Sequence, residues 1–105
     1  MQVSYNGWDY TIEQIEGNLY RIFNTDRELY IVMSVEYRSG TYFNIQNVTK
    51  GEKEFKAQRY IDKWIPLARE AAFVIAKEDG IYDYQHNKFF KLKLDKDNVY
   101  RFFPI

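Results

Sequence analysis

A chain of 105 residues, 46 % hydrophobic and 29 % charged, has the composition of a globular domain, with enough residues for one core and too few for two. It contains no cysteine, which excludes disulfides, thiol catalysis and thiolate zinc sites. Its 15 basic and 15 acidic residues cancel, which argues against a whole-molecule electrostatic grip on nucleic acid. Residues 1–48 nevertheless hold three arginines against six carboxylates, so the remainder is basic by the same margin.

In chain order, Val3–Tyr5, Asn6-Gly7 and residues 8–15 read as a β-hairpin. Asn-Gly suits a type I′ turn, in which both central residues need positive φ. Trp8, Tyr10 and Ile12 point one way along the second strand and Asp9, Thr11 and Glu13 the other. Glu16-Gly17-Asn18 turns the chain into a strand at residues 19–23, and Asn24-Thr25-Asp26-Arg27 turns it again. Residues 28–37 give the clearest strand. Leu29, Ile31, Met33, Val35 and Tyr37 form an unbroken apolar row, which predicts a central strand packed on a helix. After Arg38-Ser39-Gly40, residues 41–47 predict a further strand with Phe43 and Ile45 inward and Tyr42, Asn44 and Gln46 outward.

Residues 53–77 carry the helical signal. Ala57, Ile61, Trp64, Ala68, Ala71 and Ile75 recur at steps of three or four, and Thr49 with Glu52 resembles a capping box ahead of them. Pro66 removes a backbone donor, but the stripe stays in phase across it, which predicts one Pro-kinked helix. Gly80 suits the C-cap. A competing reading makes residues 72–76 and 81–84 a hairpin around Asp79-Gly80. Residues 81–87 show no period. Residues 88–94 alternate, with Phe90, Leu92 and Leu94 on one side and Phe89, Lys91 and Lys93 on the other, and Asp95-Lys96-Asp97-Asn98 turns them into residues 99–103. The expected fold is a single α+β domain: an antiparallel meander of four to five strands, one long helix on one face, and a C-terminal hairpin.

Catalytic signatures are weak. The only histidine, His86, lies three residues after Asp83, and no serine or threonine sits in a nucleophile motif. Carboxylate pairs such as Glu13/Glu16 are common on any strand or helix surface. Glycine-rich phosphate loops are absent, and Asp95–Asn98 lacks the glycine and distal glutamate of a calcium loop. The expectation is no enzyme, no metal and no cofactor.

Two features point to binding. Ten tyrosines are present, a residue favoured at interfaces because it joins an apolar body to a polar tip. Tyr20, Tyr30 and Tyr42 fall on three successive predicted strands, with Arg38 and Asn44 near Tyr42. The second feature is basic: Lys50, Lys53, Lys56, Arg59 and Lys63 ahead of the helix stripe, and Lys88, Lys91, Lys93, Lys96 and Arg101 in the last hairpin. Lysines of this kind also protect edge strands from pairing.

The leading expectation is a small inhibitor- or adaptor-type binding protein docking a protein partner through Tyr20, Tyr30, Tyr42, Asn44 and Arg38. The alternative is a single-stranded nucleic-acid-binding protein that stacks bases on tyrosine and follows phosphates with the C-terminal lysines. The longest apolar run, residues 71–76, is far short of a membrane span, and no signal peptide is visible in Met1–Tyr5. Those features predict a cytoplasmic protein without a membrane partner, with homo-oligomerisation left open. Abundant Lys, Asn, Ile and Tyr match an AT-rich genome such as that of a low-GC bacterium or its mobile elements.

Overall fold

A computed structural model describes residues 1–105. Six strands form an antiparallel meander in sequence order: β1 (Gln2–Tyr5), β2 (Trp8–Glu16), β3 (Leu19–Asn24), β4 (Leu29–Tyr37), β5 (Thr41–Lys50) and β6 (Lys53–Phe55). A helical segment of 21 residues follows. It comprises α1 (Gln58–Ile61), a 3₁₀ turn (Asp62–Trp64) and α2 (Ile65–Glu78). The chain closes with a second antiparallel sheet of three strands, β7 (Ile81–Asp83), β8 (Lys88–Leu94) and β9 (Tyr100–Pro104), with β8 in the middle. The expected α+β class and meander are present, with two more short strands than the sequence pattern resolves.

The first hairpin forms as its turn dictates, with positive φ at both Asn6 (50°) and Gly7 (80°). Along β4 from Leu29 to Glu36 the residues alternate between buried and partly buried. Leu29, Ile31, Met33 and Val35 meet Tyr10, Ile12, Tyr20, Ile22 and Val48 of neighbouring strands and Leu67, Ala68, Ala71, Ala72, Ile75 and Ala76 of α2 in one cluster of 18 buried side chains. Small alanines on α2 bring its backbone close to the sheet, so the bulky β-branched residues of the strands fill the gap. A bulge opposite Val32/Met33 leaves Gln46 without a cross-strand partner. It reverses the parity of β5, so Phe43 and Ile45 turn inward before it and Val48 after it.

The helix differs from the sequence reading at its start. Residues 53–55 pair with β5 as a strand, Thr49 lies within β5, and the cap position falls to Ala57, which makes no side-chain capping bond. The Thr49/Glu52 capping box therefore does not form. The helical period over residues 53–57 is outcompeted by main-chain pairing after the Gly51 turn. Pro66 is accommodated by the 3₁₀ turn that precedes α2. There it occupies a first-turn position, where the missing N–H has no partner to lose. Trp64 is only partly buried, because the tightened turn rotates it to the rim of the core.

Helix α2 ends where Gly80 predicts, and the competing hairpin at residues 72–84 does not form. The amides of Asp79 and Gly80 both donate to the Ile75 carbonyl at 2.9 Å, and Gly80 has φ +83°. A Cβ on Gly80 would lie 2.8 Å from the Phe90 carbonyl and 2.5 Å from the Phe89 ring, so β8 passes directly against the helix cap. The three-stranded sheet packs on the same side of the large sheet as the helix. Tyr37, at the end of the inward row of β4, stacks on Phe90 (centroids 4.0 Å) and meets Phe102 edge-on (5.2 Å), and Ile81 and Leu92 join the core cluster. Phe73 of α2 meets Tyr100 of β9 edge-on at 5.1 Å. No helix is long and apolar enough to cross a membrane.

Candidate functional site

Helix and small sheet both sit on the inward side of the large sheet, so its other face is left without a covering layer. The register places four rows across it. Thr11, Phe23, Tyr30 and Thr49 form the first, and Glu13, Arg21, Val32 and Asn47 the second. Leu19, Ser34 and Asn44 form the third, and Glu36 with Tyr42 the fourth. Six residue steps along β4, from Tyr30 to Glu36, separate the Tyr30 row from the Tyr42 row, a span of about 20 Å.

Each end of this face carries an aromatic ring held by an arginine. Tyr30 stacks on Phe23 (centroids 6.1 Å), and its hydroxyl accepts a hydrogen bond from Arg21 Nη1 at 3.2 Å. Arg21 also donates to Glu13 Oε2 at 2.6 Å. At the far end the Arg38 guanidinium lies 4.0 Å from the centre of the Tyr42 ring and pairs with Glu36 at 2.5 Å. Guanidinium stacking of this kind fixes two otherwise floppy side chains. Ser34, Asn44 and Asn47 make the middle of the face polar. Beside Tyr30 a hollow of about 890 Å³ opens between the β3–β4 and β5–β6 turns, lined among others by Phe23, Asn47, Thr49, Glu28 and Glu52.

Of the residues singled out in the sequence, the structure brings Tyr30, Tyr42, Asn44 and Arg38 to this face. It does not bring Tyr20. Tyr20 pairs across β4 with Met33 rather than with an outward residue, is 4 % exposed, and points its hydroxyl at Asp79 Oδ2 (3.4 Å) below α2. Burial, and then the adjacent Asp79 carboxylate, push its pKa up to about 12. The reason for the difference is parity. Tyr20 and Tyr30 fall in different rows because the β3–β4 turn sets Tyr20 opposite Met33 and Phe23 opposite Tyr30. Phe23, Val32 and Arg21 are the members of the face that the tyrosine spacing missed. The hairpin register alone could have shown them.

The C-terminal basic residues divide. Lys91 and Lys93 share the outward face of the small sheet with Arg101, which pairs across from Lys93, and with Phe89 and Phe103. Lys88 pairs with Asp83 at the opposite parity and lines a separate hollow with Tyr37 and His86. Lys96 lies in the β8–β9 turn. Around Tyr60 gather Lys53, Arg59 and Lys63, 4.8–5.9 Å from its ring centre.

His86 Nδ1 lies 2.8 Å from Asp83 Oδ2, while the amides of Gln85 and His86 donate to Asp83 Oδ1 at 3.0 and 3.2 Å. Burial pushes the Asp83 carboxyl up, but the bonds from the His86 ring and from the two amides outweigh it and hold the group below the usual carboxylate range. All of these contacts lie within one turn, and they brace the β7–β8 connection. No group of three or more His, Cys, Asp or Glu side chains lies close enough to hold a metal ion.

No family model matches the chain, and comparisons with curated proteins and with solved structures return no match.

Proposed function

We propose that this is a non-enzymatic binding protein, of inhibitor or adaptor type, that docks a protein partner on the outward face of its large sheet. The observation that supports this reading is the absence of any covering layer over a face that holds Phe23, Tyr30, Val32 and Tyr42. Its arginines are already neutralised by Glu13 and Glu36. Tyrosine and arginine are the residues that dominate interface energetics, and here they are positioned before any partner arrives, which lowers the entropy lost on binding. Paired charges suit a mixed protein surface better than a phosphate chain, which rewards unpaired cations. The partner should place a cationic side chain in the hollow beside Tyr30, where Glu28 and Glu52 supply negative charge against an aromatic wall.

The double variant Tyr30→Ala/Tyr42→Ala tests this. Partners retained by the immobilised wild type from an extract should be lost by the variant, while its melting temperature stays within reach of wild type. Retention should survive moderate salt, because apolar contacts are not screened. Glu28→Gln/Glu52→Gln should weaken capture of the same partner without abolishing it. A partner held equally well by wild type and by the double tyrosine variant overturns the reading.

A further inference from the structure

The outward face of the three-stranded sheet differs in kind from that of the large one, and nothing in the proposed protein interface uses it. Across it run Tyr82 and Phe89 in one row, Lys91 and Phe103 in the next, and Lys93 with Arg101 in the third. Phe89 and Phe103 are 38 % and 39 % exposed, and Tyr84, edge-on to Tyr82 at 4.9 Å, is 52 % exposed. The Phe89 ring leans on Gly80 at the helix cap, but part of it and the Phe103 and Tyr84 rings remain open to solvent. The core side of the same strands is taken by Leu92, with Phe102 packed against the core and Phe90 stacked on Tyr37.

The cations are equally distinctive. No lysine of this face has a carboxylate within ion-pair distance, since the ion pairs of the chain involve only Arg21, Arg38, His86 and Arg101. Arg101 bonds Asp95 through Nε, and Asp95 is further occupied by the amides of Asp97 and Val99. Arg101 is therefore paired within its own turn, as Arg21 and Arg38 are in the large sheet, and the free cations of this face are Lys91 and Lys93. Protection of an open sheet edge does not account for these lysines, because Lys91 and Lys93 lie on β8, the central strand, while the edges are β7 and β9.

We infer that the outward face of the three-stranded sheet binds single-stranded nucleic acid. Bases stack on Phe89 and Phe103, and phosphates lie along Lys91 and Lys93, the two cations of this face without a carboxylate partner. A duplex hides its base faces and cannot use the two rings, whereas a single strand presents one π-face per nucleotide. The unpaired Lys91 and Lys93 beside the rings supply the charge complementarity that the paired arginines of the large sheet lack.

The test is fluorescence anisotropy of the intact protein with a labelled oligothymidylate of about 12 nucleotides, a length within single-strand site sizes. Wild type should bind at about 50 mM salt and weaken steeply by about 200 mM. Lys91→Glu/Lys93→Glu should weaken binding at least about tenfold and flatten the salt dependence. Phe103→Ala should weaken it by about tenfold, as loss of one stacking platform does, and should leave retention on a heparin column unchanged. Phe103→Leu keeps the apolar bulk without the ring plane, and should show the same loss if the alanine variant misfolds. Tyr30→Ala/Tyr42→Ala should bind the oligonucleotide as wild type does, which separates this site from the protein interface. The inference is overturned by no binding at low salt, by equal affinity for a duplex of the same sequence, or by a Phe103→Leu variant that binds as well as wild type.

Discussion

The two sheets are built from the same residue types and use them in opposite ways. In the large sheet the outward arginines each have a carboxylate, Glu13 for Arg21 and Glu36 for Arg38, and each guanidinium also lies against an aromatic ring. In the small sheet the outward cations stand beside Phe89 and Phe103 without acidic partners on Lys91 or Lys93. An aromatic content of 19 % therefore does not describe one kind of surface. What separates the two faces is whether the charges among the rings are already satisfied. Stability is divided as unevenly. The large sheet and α2 hold nearly all of the 18 buried side chains, while the small sheet contributes Ile81 and Leu92.

That division can be broken most severely from the large sheet. Ile31, fully buried between β3, β5 and α2, should lose about 4 kcal/mol on truncation to alanine, a large share of the roughly 5–15 kcal/mol available to a domain. Leu92→Ala in the small sheet should lie near the lower end of such effects, about 2 kcal/mol. Urea denaturation of both variants measures the difference. Equal losses would mean that the small sheet carries as much of the core as the large one.

The junction between the two regions is Gly80. Gly80→Ala places a methyl group against the Phe90 carbonyl at a positive φ, so the cap of α2 and the path of β8 must both shift. We expect a loss of about 2 kcal/mol, together with altered oligonucleotide affinity because the Phe89 ring is displaced. A stability within about 0.5 kcal/mol of wild type would show that the small sheet docks loosely.

Smaller effects belong to the rim of the helix. Trp64→Ala should cost about 1–2 kcal/mol rather than the 3–5 of a fully buried aromatic, because the 3₁₀ turn leaves it only partly buried at the rim of the core. Pro66→Ala should be close to neutral, since the first turn of α2 needs no donor there. Thermal melts of the two variants check both. Unfolding by Pro66→Ala would show that the ring is needed to start α2.

The finest probe is pH. The Tyr20 hydroxyl ionises near pH 10 in an unfolded chain and at about 12 in the fold, a shift upward. Its contribution to stability is therefore whole below about pH 10 and is lost as pH rises from about 10 to about 12. The urea midpoint of wild type should fall more steeply over that window than that of Tyr20→Phe, which has no group to ionise. Parallel curves would place Tyr20 in water and return it to the outward face with Tyr30.

Local chemistry in the sequence determined the alternation of β4, the type I′ turn at Asn6-Gly7, the apolar stripe of α2 and its end at Gly80. Each depends on neighbours within one strand, one turn or one helical face, and a period of two or of 3.6 reports them directly. Tertiary structure decided the rest. Residues 53–55 carry helical spacing and become a strand because β5 offers them main-chain partners after Gly51. Tyr20 joins the core because the β3–β4 register sets it opposite Met33, and a shift of one residue would have turned it outward. Two members of the candidate docking face, Tyr30 and Tyr42, were legible in the strand pattern, while Tyr20 was not one of them. That the face is uncovered was not legible, because it depends on α2 and the small sheet choosing the same side, where Leu29, Ile31, Met33, Val35 and Tyr37 offer the larger apolar area to bury.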